Sequence, residues 1–121
     1  MTSFTGEDER QRSRRLWDVV VVGAGPAGAV VARELALAGA TVLLVDRRRF
    51  PRNKVCGGCL SARTVAQLGE LGLDKAVNQL GGDALHRLKL GGWGHLVSLS
   101  LPGGISISRS ALDATLVNSA L

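Results

Sequence analysis

The stretch DVVVVGAGPAG, residues 18–28, decides the fold of this chain. Its four consecutive valines are β-branched and apolar, which favours a parallel strand buried on both faces. The glycines that follow have the G-x-G-x-x-G spacing: Gly23 permits a tight turn, Gly25 lets backbone approach a pyrophosphate, and Gly28 lets a helix pack closely on the sheet. Amide groups at the N terminus of that helix would face the phosphates. The stretch therefore predicts a dinucleotide-binding strand, turn and helix.

The residues that follow the turn support this interpretation. Residues 29–38 are rich in alanine and predict a helix, with the small Ala32 where it meets the sheet and Gly39 as its C-cap. The residues expected on its inward face are Ala27, Val30, Val31, Leu35 and Ala38. A second strand over 41–45 ends in Asp46, about 20 residues beyond the glycines, where an acid binds ribose hydroxyls. The alternative, a purely structural glycine turn, is the weaker hypothesis because strand, helix and acid are all in register.

Composition limits the function classes. The chain has 121 residues, room for one domain at most, and 45% of them are hydrophobic, enough to bury a core. Two Trp, two Phe and no Tyr argue against an aromatic surface for single-stranded nucleic acid, so no nucleic-acid partner is expected. The net charge of +5 is concentrated in residues 10–15 and 47–54. Because the second cluster directly follows Asp46, the phosphates of a cofactor or substrate explain it better than nucleic acid does.

Targeting signals are absent from the sequence. No apolar run reaches the roughly 18 residues of a bilayer span, and the N terminus has no apolar signal region. We therefore expect a cytoplasmic protein without a transmembrane segment, while a peripheral membrane contact stays open. The two cysteines do not suggest a disulfide scaffold, and we expect no metal site.

The remaining sequence predicts a leader, a loop and two helices. Residues 1–16 are polar and aperiodic and predict a disordered leader, which leaves 17–121 as the folded domain. Residues 47–60 contain Pro51 and two adjacent glycines and predict a loop without regular structure. Ser61 is the expected N-cap of a helix that ends near residue 71, and Asp74 is expected to cap a short helical segment through residue 80.

After residue 82 the hydrophobic period changes to two. Alternation over 84–90 and 97–101, with glycines at 91–94 between them, predicts two strands and a turn, and 105–108 predicts a third strand of a β-meander. Ser110 and Asp113 have the spacing of a capping box that opens a last helix. Since only two parallel strands are present, we expect an incomplete Rossmann-type α/β fold, the N-terminal part of an FAD- or NAD(P)-binding domain.

Four segments together resemble the N-terminal part of FAD-dependent oxidoreductases of the p-hydroxybenzoate hydroxylase type, and within them the geranylgeranyl reductase family. They are GAGPAG at 23–28, Val45-Asp46, FPRNKVCGGCLS at 50–61, and ISR at 107–109 with Leu112, Asp113 and Leu116. The first two are shared by many flavin and nicotinamide enzymes, whereas the third is much more specific. That third segment departs from the family at Cys59, where glycine is usual.

The resemblance implies roles for particular residues. The pyrophosphate of FAD would be bound by the turn, at Gly23, Gly25, Pro26, Ala27 and Gly28. Asp46 would bind the ribose hydroxyls and Arg47 would lie beside the adenosine. Arg109 would contact FAD, and Cys56, Gly57 and Gly58 would lie along the cofactor toward its ring, with Cys56 as the one candidate catalytic residue. From the residues alone, Asp113 is better explained as a helix cap than as a catalytic acid.

The C-x-x-C pair, Cys56 and Cys59, has three interpretations. A zinc half-site is disfavoured because no second pair is present. A redox dithiol is supported by the helix that follows Cys59 and by the nearby Lys54, both of which lower a thiol pKa. We favour a third, in which the glycine-rich loop approaches the cofactor by virtue of its shape.

The resulting functional prediction is a flavoenzyme that passes hydride from NAD(P)H through FAD to a small organic substrate, isoprenoid or aromatic. A flavin-dependent monooxygenase or halogenase is the alternative within enzymes. A non-catalytic NAD(P)-binding module is the alternative outside them.

Overall fold

The computed structural model describes residues 15–121, so the predicted leader lies outside the described residues except for its last two positions. The chain divides into two compact units, one comprising residues up to Arg52 together with Asp113–Leu121, the other Asn53–Leu112. The helices are α1 (Pro26–Leu37), α2 (Ala62–Glu70), α3 (Asp74–Asn78) and α4 (Arg109–Ser119). The strands are β1 (Val19–Val22), β2 (Val42–Val45), β3 (Cys59–Ser61), β4 (Asp83–Ala84), β5 (Arg87–Gly92), β6 (His95–Ser100) and β7 (Gly104–Ser106).

The first unit contains the predicted βαβ arrangement. Strands β1 and β2 pair in parallel, with Val19 opposite Val42 and Val22 opposite Val45. The residues just before the two strands, Asp18 and Thr41, are also hydrogen-bonded. Asp18 Oδ2 accepts the backbone N–H of Thr41 at 2.7 Å and the Thr41 hydroxyl at 2.6 Å. The C-cap of α1 is Ala38, and the predicted glycine, Gly39, follows it with φ +94, the left-handed conformation that favours glycine at the residue after a C-cap.

Two details of this unit differ from the sequence prediction. Burial alternates along β1, and Val20 and Val22 are 53% and 83% exposed, so only one face of the strand is covered. On α1 the buried residues are Ala29 and Ala32. The prediction for Ala32 is confirmed, whereas Ala27, Val31 and Ala38, expected to point inward, are exposed. Small residues lie at the contact because the helix approaches β1 and β2 closely.

The second unit begins with a short strand. Cys59 and Leu60, predicted as loop, belong to β3, which pairs antiparallel with β7. The Ser61 cap prediction is confirmed, since its Oγ accepts the N–H of Thr64 at 3.2 Å. Helix α2 ends before Gly72, which has φ +68. Asp74 is the first residue of α3 and not its cap, a position that Leu73 takes.

The expected β-meander is divided between two sheets. Strands β5 and β6 form a separate hairpin, with Leu88 opposite Leu99. Its turn consists of Trp93 and Gly94, both with positive φ, while the two preceding glycines belong to β5. Strand β7 does not continue the hairpin but lies between β3 and β4 in a three-stranded antiparallel sheet. Alternation identified strands here without identifying their partners.

Helix α4 starts at Arg109, two residues earlier than a Ser110 cap requires. Its N-terminal side-chain contact comes from Ser108, whose Oγ accepts the N–H of Ala111 at 3.5 Å. Asp113 is fully buried inside the helix, so the prediction of a helix cap is wrong for it. Among residues 15–121, no helix combines the length and the apolar character that crossing a bilayer requires.

Candidate dinucleotide site

The glycine turn continues directly from the parallel strands. The N–H of Gly23 donates to the carbonyl of Val45 at 2.7 Å, which extends the β1–β2 pairing by one bond. Gly23 then has φ +102, a value that residues with a Cβ rarely adopt. The next N–H, that of Ala24, donates to Asp46 Oδ2 at 2.8 Å. The turn and the acid after β2 are therefore joined by a hydrogen bond, which the sequence spacing alone did not show.

Gly28 is required for the close approach of α1 to the turn. A Cβ built on Gly28 would lie 1.8 Å from the carbonyl oxygen of Gly23 and 3.4 Å from Val21 Cγ1. This confirms that close packing depends on Gly28. At Gly25, by contrast, a Cβ would meet only the Arg52 Nη2, at 3.7 Å. Space therefore remains beside the backbone at Gly25, as an approaching phosphate requires.

The N terminus of α1 has no side-chain cap, and Arg52 Nη2 lies nearby, 3.7 Å from the position that a Cβ on Gly25 would take. Gly25 is the N-cap, Pro26 is the first helical residue, and neither a capping side chain nor an acid occurs in the first turn. The first intrahelical bond is donated by Ala29 to the Gly25 carbonyl, at 2.9 Å. The N–H groups of Ala27 and Gly28 therefore lack helical acceptors and carry the positive end of the helix dipole. This geometry suits a pyrophosphate.

Asp46 is held on both carboxylate oxygens, since its Oδ1 accepts the backbone N–H of Arg48 at 2.9 Å in addition to the Ala24 bond on Oδ2. The net effect of the surroundings is to lower the pKa of Asp46 below its usual value. Burial alone would raise the pKa, but the hydrogen bonds from the Arg48 and Ala24 N–H groups and the charges of Arg52 and Arg47 together outweigh it. The side chain is thus ionised at neutral pH. A carboxylate offers about four lone-pair sites, so each oxygen can accept one more hydrogen bond from a pair of hydroxyls.

Two functional candidates missed by the sequence prediction lie behind Asp46. Arg52 Nη2 is 3.6 Å from Asp46 Oδ2 and 3.7 Å from Asp113 Oδ2. In the sequence, Arg52 is one residue of the FPRNKVCGGCLS segment, which by itself assigns it no role. A signal existed for Asp113, because an acid between Leu112 and Leu116 on the buried side of a helix requires a partner. Nothing in the sequence identified Arg52 as that partner.

In the second unit, the structure brings together another group of predicted site residues. Gly58 has φ +69, and its carbonyl accepts the Ile107 N–H at 2.6 Å, which fixes the loop beside the residues that lead into α4. Hydrogen bonds from the Gly58 N–H and from the Arg109 side chain lower the pKa of the exposed Cys56 thiol below its ordinary value. Cys56, Gly57, Gly58 and Arg109 therefore form one cluster.

Cys56 and Cys59 are not joined by a disulfide in this structure. Both thiols are free and exposed, and that of Cys59 donates to the Gly57 carbonyl at 3.3 Å.

Among the described residues, no group of three or more His, Cys, Asp or Glu side chains is placed to hold a metal ion. Arg47, Arg48 and Arg49 are exposed after β2.

Comparison with known sequences identifies relatives. Residues 17–92 match the FAD binding domain family. Menaquinone reductase of Mycobacterium tuberculosis is 45% identical over 103 residues, which cover 79% of this chain and 24% of that protein. Digeranylgeranylglycerophospholipid reductase 2 of Methanosphaera stadtmanae is 47% identical over 53 residues, 43% of this chain and 14% of that protein. The chain thus spans about a quarter or less of the length of these relatives.

The fold comparison agrees with the sequence comparison. The FAD-dependent chondrochloren halogenase of a myxobacterium superposes with a TM-score of 0.77 at 24% identity, over 86% of this chain and 26% of the halogenase. The predicted Rossmann-type FAD/NAD(P)-binding fold is confirmed.

Proposed function

Because the chain belongs to the FAD binding domain family, we propose that it binds the adenosine diphosphate half of FAD through residues 23–28 and Asp46. The observation that carries this proposal is the hydrogen bond between the Ala24 N–H and Asp46 Oδ2. It places an ionised carboxylate with unused acceptor sites directly beside a helix N terminus without a capping side chain. One ligand that presents both a ribose diol and a pyrophosphate satisfies both groups.

Each part of the turn has a role in this proposal. The N–H groups of Ala27 and Gly28 donate to pyrophosphate oxygens, while Gly25 leaves room for those oxygens to approach. Pro26 has no N–H and fixes the helical φ of its position, so it orders the first turn without competing for the ligand. Asp46 accepts the ribose hydroxyls, and the exposed Arg47 supplies positive charge near the adenosine.

The Cys56–Arg109 cluster is proposed as a second set of cofactor contacts. Its donors are the Arg109 guanidinium and the backbone N–H groups of the glycine loop, which suit a ligand rich in anionic and carbonyl oxygens. Gly57 accepts a Cβ without a close contact, whereas a Cβ on Gly58 would lie 3.2 Å from the Ile107 carbonyl. The conformation of the loop therefore depends on Gly58, consistent with an action through shape.

We further propose that the activity is that of an FAD-dependent oxidoreductase, with NAD(P)H as electron donor and an isoprenoid-bearing lipid as substrate. Bound FAD supplies hydride chemistry, and the residues described here bind and orient it. Support comes from the names of the two relatives, one a reductase of menaquinone and the other of a digeranylgeranyl lipid.

The cofactor proposal is tested by titrating FAD into apoprotein expressed from the complete reading frame and following flavin fluorescence. Asp46→Ala removes charge-assisted hydrogen bonds worth about 1.5–3 kcal/mol, which corresponds to a loss of affinity of roughly 10- to 150-fold. Asp74→Ala removes an exposed acid at the start of α3 and is the matched control, expected to bind as the wild type does. Equal FAD affinity of Asp46→Ala and wild type would refute the ribose assignment.

The reaction proposal needs a separate measurement. Anaerobic addition of NADH or NADPH should bleach the flavin absorbance, and addition of menaquinone or of a geranylgeranyl lipid should restore it. Restoration by oxygen alone, with incorporation of oxygen or halide into an added substrate, would favour a monooxygenase or halogenase instead. Absence of bleaching by both nucleotides would refute NAD(P)H as the donor.

A further inference from the structure

Arg52 is placed between two carboxylates of the first unit. Its Nη2 lies 3.6 Å from Asp46 Oδ2 and 3.7 Å from Asp113 Oδ2, so one cation faces two anions. The side chain of Arg52 is 18% exposed, that of Asp46 10%, and that of Asp113 is fully buried. Ion pairs with this degree of burial are screened much less than surface pairs. The charge of Arg52 helps to lower the pKa of Asp46, in addition to the backbone hydrogen bonds from Arg48 and Ala24, and the same cation faces Asp113.

Packing fixes the guanidinium at this position. Its Cζ lies 4.8 Å from the centre of the Phe50 ring, a cation–π distance, and Phe50 is itself buried. Arg52 Nε is buried and has no hydrogen-bond partner within residues 15–121. Leaving a buried donor unpaired has a cost, so Arg52 is not placed here by optimal hydrogen bonding. Its position is explained by the two carboxylates and the ring.

Asp113 explains why the cation lies inside the unit. It is on α4 beside Leu112, Leu116 and Val117, all of which are buried. A buried carboxyl group in such surroundings requires polar or charged partners, and Arg52 Nη2, 3.7 Å away, is one of them. The same Nη2 faces the oxygen of Asp46 that accepts the Ala24 N–H. Arg52 thus connects a buried structural acid to the acid of the proposed ribose site.

We propose that Arg52, held in place by Asp113, is a positioning residue that stabilises the ionised carboxylate of Asp46, the form that accepts the ribose hydroxyls. The inference rests on the proposed FAD site and assigns to it two residues that do not touch the ribose. The groups that face Asp46 are the backbone N–H groups of Ala24 and Arg48 and the side chains of Arg52 and Arg47. Of these, only Arg52 is tied to a second, buried carboxylate.

The test uses two variants that change the charge at Asp46 in opposite directions. The double variant Arg52→Met with Asp113→Leu removes a buried ion pair without changing the net charge, an exchange that proteins often tolerate. The single variant Asp113→Asn retains Arg52 and removes the competing carboxylate. Arg49→Met removes a positive charge from the same loop, at an exposed residue that is not among the charges acting on Asp46, and is the matched control.

The first readout is the titration of the Asp46 carboxyl carbon by NMR in apoprotein expressed from the complete reading frame. An opposite charge within about 4–6 Å lowers an acid pKa by roughly 1–3 units. We expect the midpoint to rise by about one unit in the double variant, at the low end because Arg47 remains, and to fall in Asp113→Asn. The midpoint should not move in Arg49→Met. An unchanged midpoint in both test variants would overturn the proposal.

The second readout is FAD affinity between about pH 3 and pH 8, a range that begins below the usual Asp pKa of about 3.9. In the double variant the acid-side loss of affinity should begin about one pH unit higher than in the wild type, with no change at pH 8. An equal loss at every pH would indicate a merely structural pair and overturn the proposal. If wild-type protein binds no FAD, the proposed function fails, and the carboxyl titration still decides whether Arg52 controls Asp46.

Discussion

Replacement of Gly28 by alanine tests the geometry on which the site depends. The added Cβ would lie 1.8 Å from the Gly23 carbonyl oxygen, whereas real Cβ atoms essentially never come closer than 3.0 Å to another heavy atom. The Cβ and the oxygen must therefore move apart by about 1.2 Å. Both partners are backbone, and no side-chain rotamer can relieve the contact. Overpacking of this kind costs about 1–3 kcal/mol, while alanine in place of glycine in a helix gains about 1 kcal/mol.

With the clash at the upper end of that range, we expect Gly28→Ala to lower the free energy of unfolding by about 2 kcal/mol. It should also weaken FAD binding, because the N–H groups of Ala27 and Gly28 move with the helix. Urea unfolding and flavin fluorescence measure the two effects. Gly69→Ala in α2 is the control, since its Cβ would meet nothing closer than Asp74 Cβ at 4.0 Å, and it should be neutral or stabilising. A Gly28→Ala protein with wild-type stability and FAD occupancy would refute the reasoning.

Three further predictions follow from other contacts. Cys59→Gly should leave turnover nearly unchanged, because within residues 15–121 the exposed Cys59 thiol is hydrogen-bonded to the Gly57 carbonyl alone. Cys56→Ser should alter the rate of turnover without preventing flavin reduction. Complete loss of turnover in Cys59→Gly would favour a dithiol mechanism. Gly58→Ala should destabilise the protein by about 1–2 kcal/mol because φ is +69 there, whereas Gly57→Ala should be neutral, and equal urea midpoints for the two would contradict this. The side-chain and backbone hydrogen bonds from Thr41 lower the pKa of Asp18 in the folded protein. The wild type should therefore be more stable than Asp18→Asn above pH ~4, and this difference should disappear as the pH falls through the folded pKa of Asp18. Urea unfolding of both proteins across about pH 3–7 measures the difference.

Local patterns predicted the first unit well because its signals lie close together in sequence. The valine run, the glycine spacing and the capping glycine Gly39 each depend on a few neighbouring residues. The valine run predicted burial on both faces, whereas Val20 and Val22 are exposed in this chain, which spans about a quarter or less of the length of its relatives. The small contact residues Ala29 and Ala32 likewise reflect how closely α1 approaches the strands.

Long-range pairing was beyond the sequence patterns. Alternation marked residues 105–108 as a strand, but its hydrogen-bond partners are β3 and β4, which period-two patterning does not identify. Asp113 was assigned to a cap because S-x-x-D is a local signal. Its ion pair with Arg52 depends on two segments far apart in the chain. Cys56 and Arg109 could be associated only through the family resemblance, and the structure shows them in contact.

The central claim is that residues 23–28 and Asp46 bind the adenosine diphosphate half of FAD, and a crystal structure of the protein with FAD tests it most directly. In that structure we expect ribose hydroxyl oxygens within about 2.5–3.0 Å of the Asp46 carboxylate and pyrophosphate oxygens within about 2.7–3.2 Å of the Ala27 and Gly28 nitrogens. FAD bound elsewhere on the protein, or bound with its ribose away from Asp46, would contradict it.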